Sequence, residues 1–285
     1  MTLLVQKFGG TSLGSIERIK SVAQRIKTSK DKGDDLVVVV SAMGHTTDQL
    51  TKLASEITIH PSHREMDMLL STGEQVSISL LTMALHELGI PAIGISGIDG
   101  GMIVTKKREK NKDETGALID YGYVGDISSV NMDILNTQLD AGYIPIISSL
   151  TADADGVILN VNADTIAATI AYELSAEKLI LMTSVPGILM DKNDKTSLIS
   201  YINHDSLKKM KSNGKLTDGM LPKADAIGLA LDNGVSRVHI ISSNSEDSLL
   251  TEIFTNHGTG TLIVKDLTNL TSKEQIGESN EAAMG

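Results

Sequence analysis

The sequence predicts an α/β protein, a three-layer αβα sandwich with a largely parallel central sheet. Several short runs of aliphatic residues contain no polar residue, which is typical of strands buried on both faces of a parallel sheet. Segments with helical periodicity separate these runs, as the crossovers between parallel strands require. Hydrophobic residues make up 41% of the 285 positions and aromatic residues only 2%, so the core must be built from aliphatic side chains.

The predicted strands and helices alternate along the chain. Strands are expected at 3–5, 36–40, 92–95, 144–147, 179–182 and 238–241. Helices are expected at about 14–29, 64–88, 131–141, 163–174, 204–212, 222–233 and 246–254. The charged segment 106–115 is interpreted as an exposed hairpin tip, and the polar, aperiodic stretch 266–285 as a disordered tail.

Composition excludes several classes of function. The formal charge of −11, from 36 acidic and 25 basic residues, argues against a nucleic-acid or membrane-surface partner. The chain has no cysteine, so it forms no disulfide and no thiolate metal site. No signal pattern and no apolar run of membrane-spanning length is found. We therefore expect a cytoplasmic protein.

The first candidate site lies where the opening strand meets a helix. Lys7 is followed by Gly9 and Gly10 and then by a helical pattern. Adjacent glycines let backbone N–H groups approach an anion, and the helix start adds free donors and a positive dipole end. With the charge of Lys7, these groups are suited to hold a phosphoryl group. On spacing alone, a plain turn is the alternative.

The second candidate site follows the strand at 36–40. Ser41, Gly44, Thr46 and Thr47 come directly after it and precede another helical pattern. Ligands of parallel sheets bind at the carboxyl ends of strands, so these hydroxyls are expected to face a substrate and Gly44 a phosphate. Thr46 or Thr47 could equally cap the following helix.

Glu74 lies within the apolar helical pattern at 64–88. A carboxylate on such a face needs a cationic partner. That partner is either a ligand or Arg64; alternatively, the carboxylate is exposed.

These motifs resemble those of two related families. Residues 1 to about 95 resemble aspartokinases, through KFGGTS at 7–12, the 41–48 loop and the 66–77 block. Residues from about 95 to 265 resemble acetylglutamate kinases, through GISGIDGG at 94–101, GYVGD at 122–126, LNVNAD at 159–164, TSVPGIL at 183–189 and GMLPK at 219–223. Both belong to the amino-acid kinase superfamily and share its fold, so the chain resembles a hybrid of the two.

The resemblance implies a catalytic set of Lys7, Asp164 and Lys223. Asp164 would organise the two lysines, although a residue at a helix start is a cap by default. Lys223 would meet a phosphate near the start of its helix; a surface lysine is the alternative.

The resemblance also implies two binding regions. The acceptor amino acid would contact Ser41, Thr46, Thr47, Glu74 and Asn160, with Glu74 on its α-ammonium and Asn160 where aspartokinases have an arginine. The nucleotide would contact Thr183, Ser184, Gly187 and Leu189. We expect an acceptor lobe at 1–172, a nucleotide lobe at 173–265, and a homodimer. The cofactors are ATP and Mg²⁺, with Mg²⁺ held mainly by the ATP phosphates and by no protein ligand.

The expected reaction is ATP-dependent formation of an acyl phosphate. A carboxylate acceptor is already ionised at neutral pH, so no general base is needed. Aspartate is the first acceptor expected and acetylglutamate the second. Two other classes stay open: a non-catalytic nucleotide-binding hybrid, and a relative acting on a nucleotide or carbamate.

Overall fold

The computed structural model describes residues 2–112, 116, 118–119, 121–191, 193–194, 196–243 and 260–271. The predicted helix at 246–254, residues 113–115 of the predicted hairpin tip and residues 272–285 of the predicted tail lie outside the described residues.

Strands and helices alternate along most of the described chain. The strands are β1 (Leu3–Phe8), β2 (Asp35–Val40), β3 (Ala92–Ser96), β4 (Ile103–Lys107), β5 (Asn111–Lys112), β6 (Leu118–Ile119), β7 (Gly125–Val130), β8 (Ile144–Ser148), β9 (Leu150–Ala152), β10 (Ile158–Asn160), β11 (Lys178–Thr183), β12 (Tyr201–Asn203), β13 (Arg237–Ser242) and β14 (Thr261–Val264). The helices are α1 (Ile16–Asp31), α2 (Thr46–Ile57), α3 (His63–Glu87), α4 (Asp133–Asp140), α5 (Ala163–Glu173), α6 (His204–Ser212) and α7 (Leu221–Asp232).

The main sheet has eight strands in the order β12-β14-β13-β11-β1-β2-β8-β3. Neighbouring strands are parallel except for the antiparallel pair β13–β14. Helices α1 and α3 pack on one face, and α4 to α7 pack on the other. The predicted three-layer sandwich with a largely parallel sheet is therefore confirmed.

Strand β2 shows why an uninterrupted apolar run marks a central strand. Successive side chains of a strand point to opposite faces of the sheet. Leu36, Val38 and Val40 pack in the layer of α1 and α3, whereas Val37 and Val39 pack in the layer of α4 to α7. All five are fully buried, so every position of the run must be apolar.

A smaller sheet was not predicted. It has the order β10-β9-β4-β7, and β5 and β6 form a separate antiparallel hairpin. These strands are short and partly exposed, so no continuous apolar run marks them. Segment 106–115 is therefore not all a hairpin tip, because Lys106 and Lys107 belong to β4 and Asn111 and Lys112 to the hairpin strand β5.

Several boundaries differ from the predictions, and two of these differences have a clear structural cause. Helix α1 begins at Ile16 rather than 14, because a 3-10 turn at Gly10–Leu13 intervenes and the Ser15 side chain caps the helix. The expectation of disorder from residue 266 onward is wrong for residues 266–271. A 3-10 turn forms at Leu267–Asn269, and Leu270 is buried against Leu262 and Val264.

Helix α3 is long and apolar enough, by length and composition alone, to cross a membrane. Core helices of soluble proteins pass the same test. The sequence shows no uninterrupted apolar run there because polar residues, including Asp67 and Glu74, are spaced along the helix. In the structure α3 packs against β3, β8 and α1.

Candidate active site

Parallel pairing brings the ends of four strands to the same edge of the main sheet. Strands β1, β2, β8 and β11 all run in one direction. The residues that follow them therefore gather at that edge; they are Gly9, Ser41, Ser149 and Ser184.

Asp164 lies between two lysine ammonium groups at this edge. The Lys7 side chain leaves β1 on the same face as Val5, toward α5, which carries Asp164. Lys7 Nζ and Asp164 Oδ1 form an ion pair at 2.8 Å, although the angles between the two groups are not those of a hydrogen bond. Lys223 Nζ donates to Asp164 Oδ2 at 2.7 Å from the first turn of α7. The structure thus brings the three predicted catalytic residues into contact.

Burial and charge act in opposite directions within this group. Burial alone disfavours the carboxylate form of Asp164, but Lys7 and Lys223 outweigh it and lower the pKa of Asp164. Burial also lowers the pKa of Lys7, which Asp164 partly opposes and Lys223 reinforces. The carboxylate therefore stays ionised and keeps two cations close together.

Asp164 is not the cap of helix α5. Asn162 occupies that position, and its side-chain oxygen accepts from the Asp164 N–H at 2.8 Å. Because Asn162 satisfies the helix end, the Asp164 carboxylate is left to bind the lysines. The pattern Asn-x-Asp at a helix start could have indicated this division of roles.

The three predicted phosphate-binding glycines differ in what their amides contact. The Gly9 N–H donates to the Met182 carbonyl at 3.3 Å, and the Gly44 N–H donates to the Gly10 carbonyl at 2.9 Å. Gly10 begins the 3-10 turn, where amides have no partner within the turn. The Gly9 and Gly44 amides thus donate within the protein in this conformation, and phosphate binding by Gly9, Gly10 and Gly44 stays a prediction.

Gly10 and Gly44 have a second property in common, a close approach between loops. A Cβ on Gly10 would lie 2.6 Å from the Ala42 carbonyl oxygen. Gly44 has φ +50°, and a Cβ there would lie 3.1 Å from the Gly14 Cα. The loops after β1 and β2 thus touch backbone to backbone, which only glycine permits.

A cleft of about 460 Å³ lies beside α3 and contains three of the predicted acceptor residues. Thr47, Glu74 and Asn160 line it, and we call it the acceptor pocket; its other lining residues are Ala42, Asp67, Leu70, Ser71, Leu150 and Ile158. Ser41 and Thr46 do not line it. The Thr46 hydroxyl donates to the Met43 carbonyl at 2.6 Å, and neither Thr46 nor Thr47 is the cap of α2, since that position is His45.

Glu74 reaches from α3 to the end of β8. Its two carboxylate oxygens accept from the Ser149 hydroxyl at 2.9 and 3.0 Å. Burial raises the pKa of Glu74, while Ser149 and the charge of Lys7 partly offset it. Arg64 is not its partner, because Arg64 is exposed and pairs with Glu65. Glu74 is therefore a partly buried carboxylate, and no cationic side chain among the described residues contacts it directly.

Sequence reasoning missed three residues of this region. Ser149 is buried and holds Glu74, while Asp67 and Ser71 line the acceptor pocket one or two helical turns before Glu74. Burial raises the pKa of Asp67. Ser149 follows a predicted strand, so the rule that located Ser41 could have found it.

A second cleft of about 440 Å³ lies on the other half of the sheet. Gly187 and Leu189 line it, together with Val185, Ile188, Lys215, Leu216, Thr217 and Met220. A Cβ on Gly187 would lie 2.5 Å from Thr261 Oγ1, so only glycine fits at this position of the loop. Thr183 ends β11 and is buried; neither Thr183 nor Ser184 lines this cleft. Lys215 was not predicted.

Within the described residues, no group of three or more His, Cys, Asp or Glu side chains is placed to hold a metal ion. The binding of Mg²⁺ mainly through ATP phosphates stays a prediction.

Comparisons with known proteins give a consistent family. The model of the amino acid kinase family matches residues 2–242. The acetylglutamate kinase of Thermoanaerobacter sp. (strain X514) is 38% identical over 273 residues, covering 93% of this chain and 88% of that protein. The acetylglutamate kinase of Archaeoglobus fulgidus is 45% identical over 191 residues, covering 66% of each.

Solved structures agree at the level of the fold. The aspartate kinase from Synechocystis has a TM-score of 0.69 and 33% identity over 93% of this chain, which spans 40% of that longer protein. The Giardia carbamate kinase has a TM-score of 0.69 at 13% identity, a likeness of fold alone.

The similarity to acetylglutamate kinases extends over most of the chain rather than only beyond about residue 95. It confirms the predicted class of enzyme, a phosphotransferase of the amino-acid kinase type. With a family match from residue 2 to 242 and relatives of 35–38% identity over nearly its whole length, the chain belongs to the amino acid kinase family.

Proposed function

We propose that this chain transfers the γ-phosphoryl group of ATP to a carboxylate of a small amino acid. The observation that carries the proposal is Asp164 bridging Lys7 and Lys223 at the edge where the strands of the sheet end. Phosphoryl transfer needs alignment and positive charge more than covalent assistance, and two fixed ammonium groups supply that charge.

The chemical step is balanced without a general base. An oxygen of the ionised acceptor carboxylate bonds to the γ-phosphorus while the bond from that phosphorus to the β–γ bridging oxygen breaks. The products are an acyl phosphate and ADP, and no proton moves. The electrostatic influence of Glu74 on Lys7 supports an acceptor pocket next to the catalytic lysine.

The second cleft suits the nucleotide. Its lining is largely apolar, as an adenine ring requires, and Lys215 adds a cation. Met220 lines this cleft, and Lys223 lies three residues further along the chain, in α7. We therefore assign Gly187 and Leu189 to the nucleotide, and Lys7 and Lys223 to its phosphates. The lobes at 1–172 and 173–265 are part of this proposal; each supplies one half of the main sheet.

N-acetylglutamate is the first acceptor we propose. The curated relatives that match nearly the whole chain carry this activity in their names. This order reverses the expectation from the sequence, in which aspartate came first.

Aspartate is the second candidate, because of Glu74. The free α-ammonium of aspartate would stabilise the ionised form of this partly buried carboxylate, whose pKa is raised. The neutral amide of acetylglutamate offers it no charge. Asp67 adds a second carboxylate to the same pocket, and the first 95 residues resemble aspartokinase.

The deciding experiment is ADP release with each acid, on the unmodified chain and on Glu74→Gln. Phosphorylation of acetylglutamate unaffected by Glu74→Gln, with none of aspartate, identifies the first acceptor. Phosphorylation of aspartate that Glu74→Gln abolishes identifies the second. Failure to turn over either acid would refute the proposed function.

A further inference from the structure

The acceptor pocket has no cation for the carboxylate that does not react. Its nine lining residues include Asp67 and Glu74 but no Lys, Arg or His. Both proposed acceptors carry a second carboxylate, and enclosing that charge beside two acids is costly unless a cation compensates it. Asn160 can donate a hydrogen bond but brings no charge. A cation must therefore reach the pocket from its rim.

Lys107, in β4 of the smaller sheet, is connected to the pocket through Tyr123. Its Nζ stands 4.4 Å from the ring centroid of Tyr123, a cation–π contact. The Tyr123 carbonyl accepts from the N–H of Asn160 at 2.8 Å, and Val124 forms a bridge with Asn160. Tyr123 thus contacts Lys107 through its ring and the pocket residue Asn160 through its backbone.

Electrostatics agrees with this position. Positive charge from His63, and after it from Lys107, partly offsets the effect of burial on the pKa of Asp67, a residue of the pocket lining. In the part of the chain that the structure describes, Lys107 forms no ion pair, so its charge is available to a ligand.

The neighbouring arginines are already engaged. Arg108 donates to Asp126 from Nε at 2.9 Å and from a terminal nitrogen at 2.6 Å. Arg64 pairs with Glu65 on the exposed start of α3. Both arginines are thus paired, whereas Lys107 has no ion pair within the described residues and lies against the Tyr123 ring.

We propose that Lys107 binds the non-reacting carboxylate of the acceptor at the rim of the acceptor pocket, an inference that rests on the proposed carboxyl-kinase function. The flexible stem of lysine lets the ammonium leave the Tyr123 ring for a carboxylate beside Asn160. Lys107 then acts in binding and specificity, while the reacting carboxylate faces Lys7.

The test compares Lys107→Met with the matched control Lys106→Met, which removes the same charge from the adjacent exposed residue of β4. At pH 8, we expect Lys107→Met to raise KM for the acceptor about tenfold, the value of a hydrogen bond to a charged group. The kcat and the KM for ATP stay unchanged, and so do all constants of Lys106→Met.

The decisive arm uses analogues of aspartate and acetylglutamate in which the non-reacting carboxylate is an amide. The unmodified chain should bind these amides about tenfold more weakly than the acids. Lys107→Met should bind the amides as tightly as the unmodified chain does. The inference would be overturned if Lys107→Met left the KM for the acids unchanged, or if Lys106→Met raised that KM equally. It would also be overturned if Lys107→Met weakened binding of the amides as much as binding of the acids.

Failure of the proposed function gives a different result. If the unmodified chain turns over neither acid, the proposed function fails, and calorimetric binding of the same acids and amides tests Lys107 separately. Weaker binding of the acids alone in Lys107→Met supports the inference. Binding that is absent, or equal in the two lysine variants, overturns it.

Discussion

Replacing Asp164 by Asn tests the centre of the candidate active site. The side chains of Asp164, Lys7 and Lys223 are only 5, 6 and 15% exposed, so the change leaves two mostly buried ammonium groups without their counter-charge. Removing one partner of a buried ion pair costs about 3–5 kcal/mol. The protein can reduce that cost only by losing a proton from one lysine.

Lys7 is the lysine expected to lose its proton. Burial already lowers its pKa, and Asp164 is the main influence that raises it. Without that carboxylate, Lys7 becomes neutral in a larger fraction of molecules. Losing one charge that contacts the transition state costs about 3 kcal/mol, which lowers kcat about a hundredfold.

The assay is kcat from coupled ADP release between pH 6 and 8, with urea unfolding on the same samples. The kcat of Asp164→Asn relative to the unmodified chain should recover as pH falls, because Lys7 regains its proton. The control is Asp225→Asn, which breaks an exposed pair with Lys211 and should change stability by at most about 1 kcal/mol and kcat not at all. A kcat for Asp164→Asn within roughly threefold of the unmodified chain, with a parallel pH profile, would refute the reasoning.

The linkage to pH has a definite sign. The pKa of Asp164 is lower in the folded than in the unfolded chain, so its stabilisation is complete above its ordinary pKa. That stabilisation is lost as pH falls through the folded value. The difference in unfolding free energy between the unmodified chain and Asp164→Asn should therefore shrink in acid.

Three further outcomes are expected. Lys7→Ala and Lys223→Ala should each lower kcat about a hundredfold. The chain should still fold, because one lysine remains paired with Asp164 in each variant. Near-full activity in both variants would mean that backbone amides stabilise the charge of the transferring phosphoryl group. Glu74→Gln should raise the free energy of unfolding at pH 7.5 in the absence of acceptor. The pKa of Glu74 is raised in the folded chain, and such a carboxylate lowers the stability of the fold at pH values above its ordinary pKa. A lower free energy of unfolding in urea would contradict this. Gly187→Ala should lower the unfolding free energy by about 1–3 kcal/mol, because its Cβ would overlap Thr261, and an unchanged urea midpoint would exclude that overlap.

Six of the eight strands of the central sheet could be predicted, because uninterrupted aliphatic runs mark strands buried on both faces; β12 and β14 were not predicted. Every residue of such a strand core is apolar, as at positions 36–40 of β2. In the smaller sheet β4, β7 and β10 are partly exposed and β9 has only three residues, so these strands carry no comparable pattern. Helix α3 was predicted to within one residue at each end because its apolar residues recur at helical spacing, whereas β4 and β7 have no such pattern and were missed.

The candidate site divides in the same way. Lys7 and Lys223 could be located because each lies at a strand end or a helix start, and the family resemblance added Asp164. The partner of Glu74 could not be predicted, because Ser149 is 75 residues away and the contact exists only once α3 packs beside β8. The hydrogen bond from Gly44 to Gly10 likewise depends on two loops meeting in the folded chain.

That backbone contact makes the geometry of the reaction a property of the main chain. The loop after β1 begins two residues after Lys7, the lysine proposed to act in catalysis, and the loop after β2 leads to the acceptor pocket through Thr47 in α2. Since no side chain separates them, their spacing cannot be adjusted by a rotamer or by the substitution of one core residue for another. Enzymes that align two reactants lose rate steeply with displacements near 1 Å. Variation among descendants of this chain can therefore alter which acid is bound while leaving the distance between phosphate and acceptor fixed.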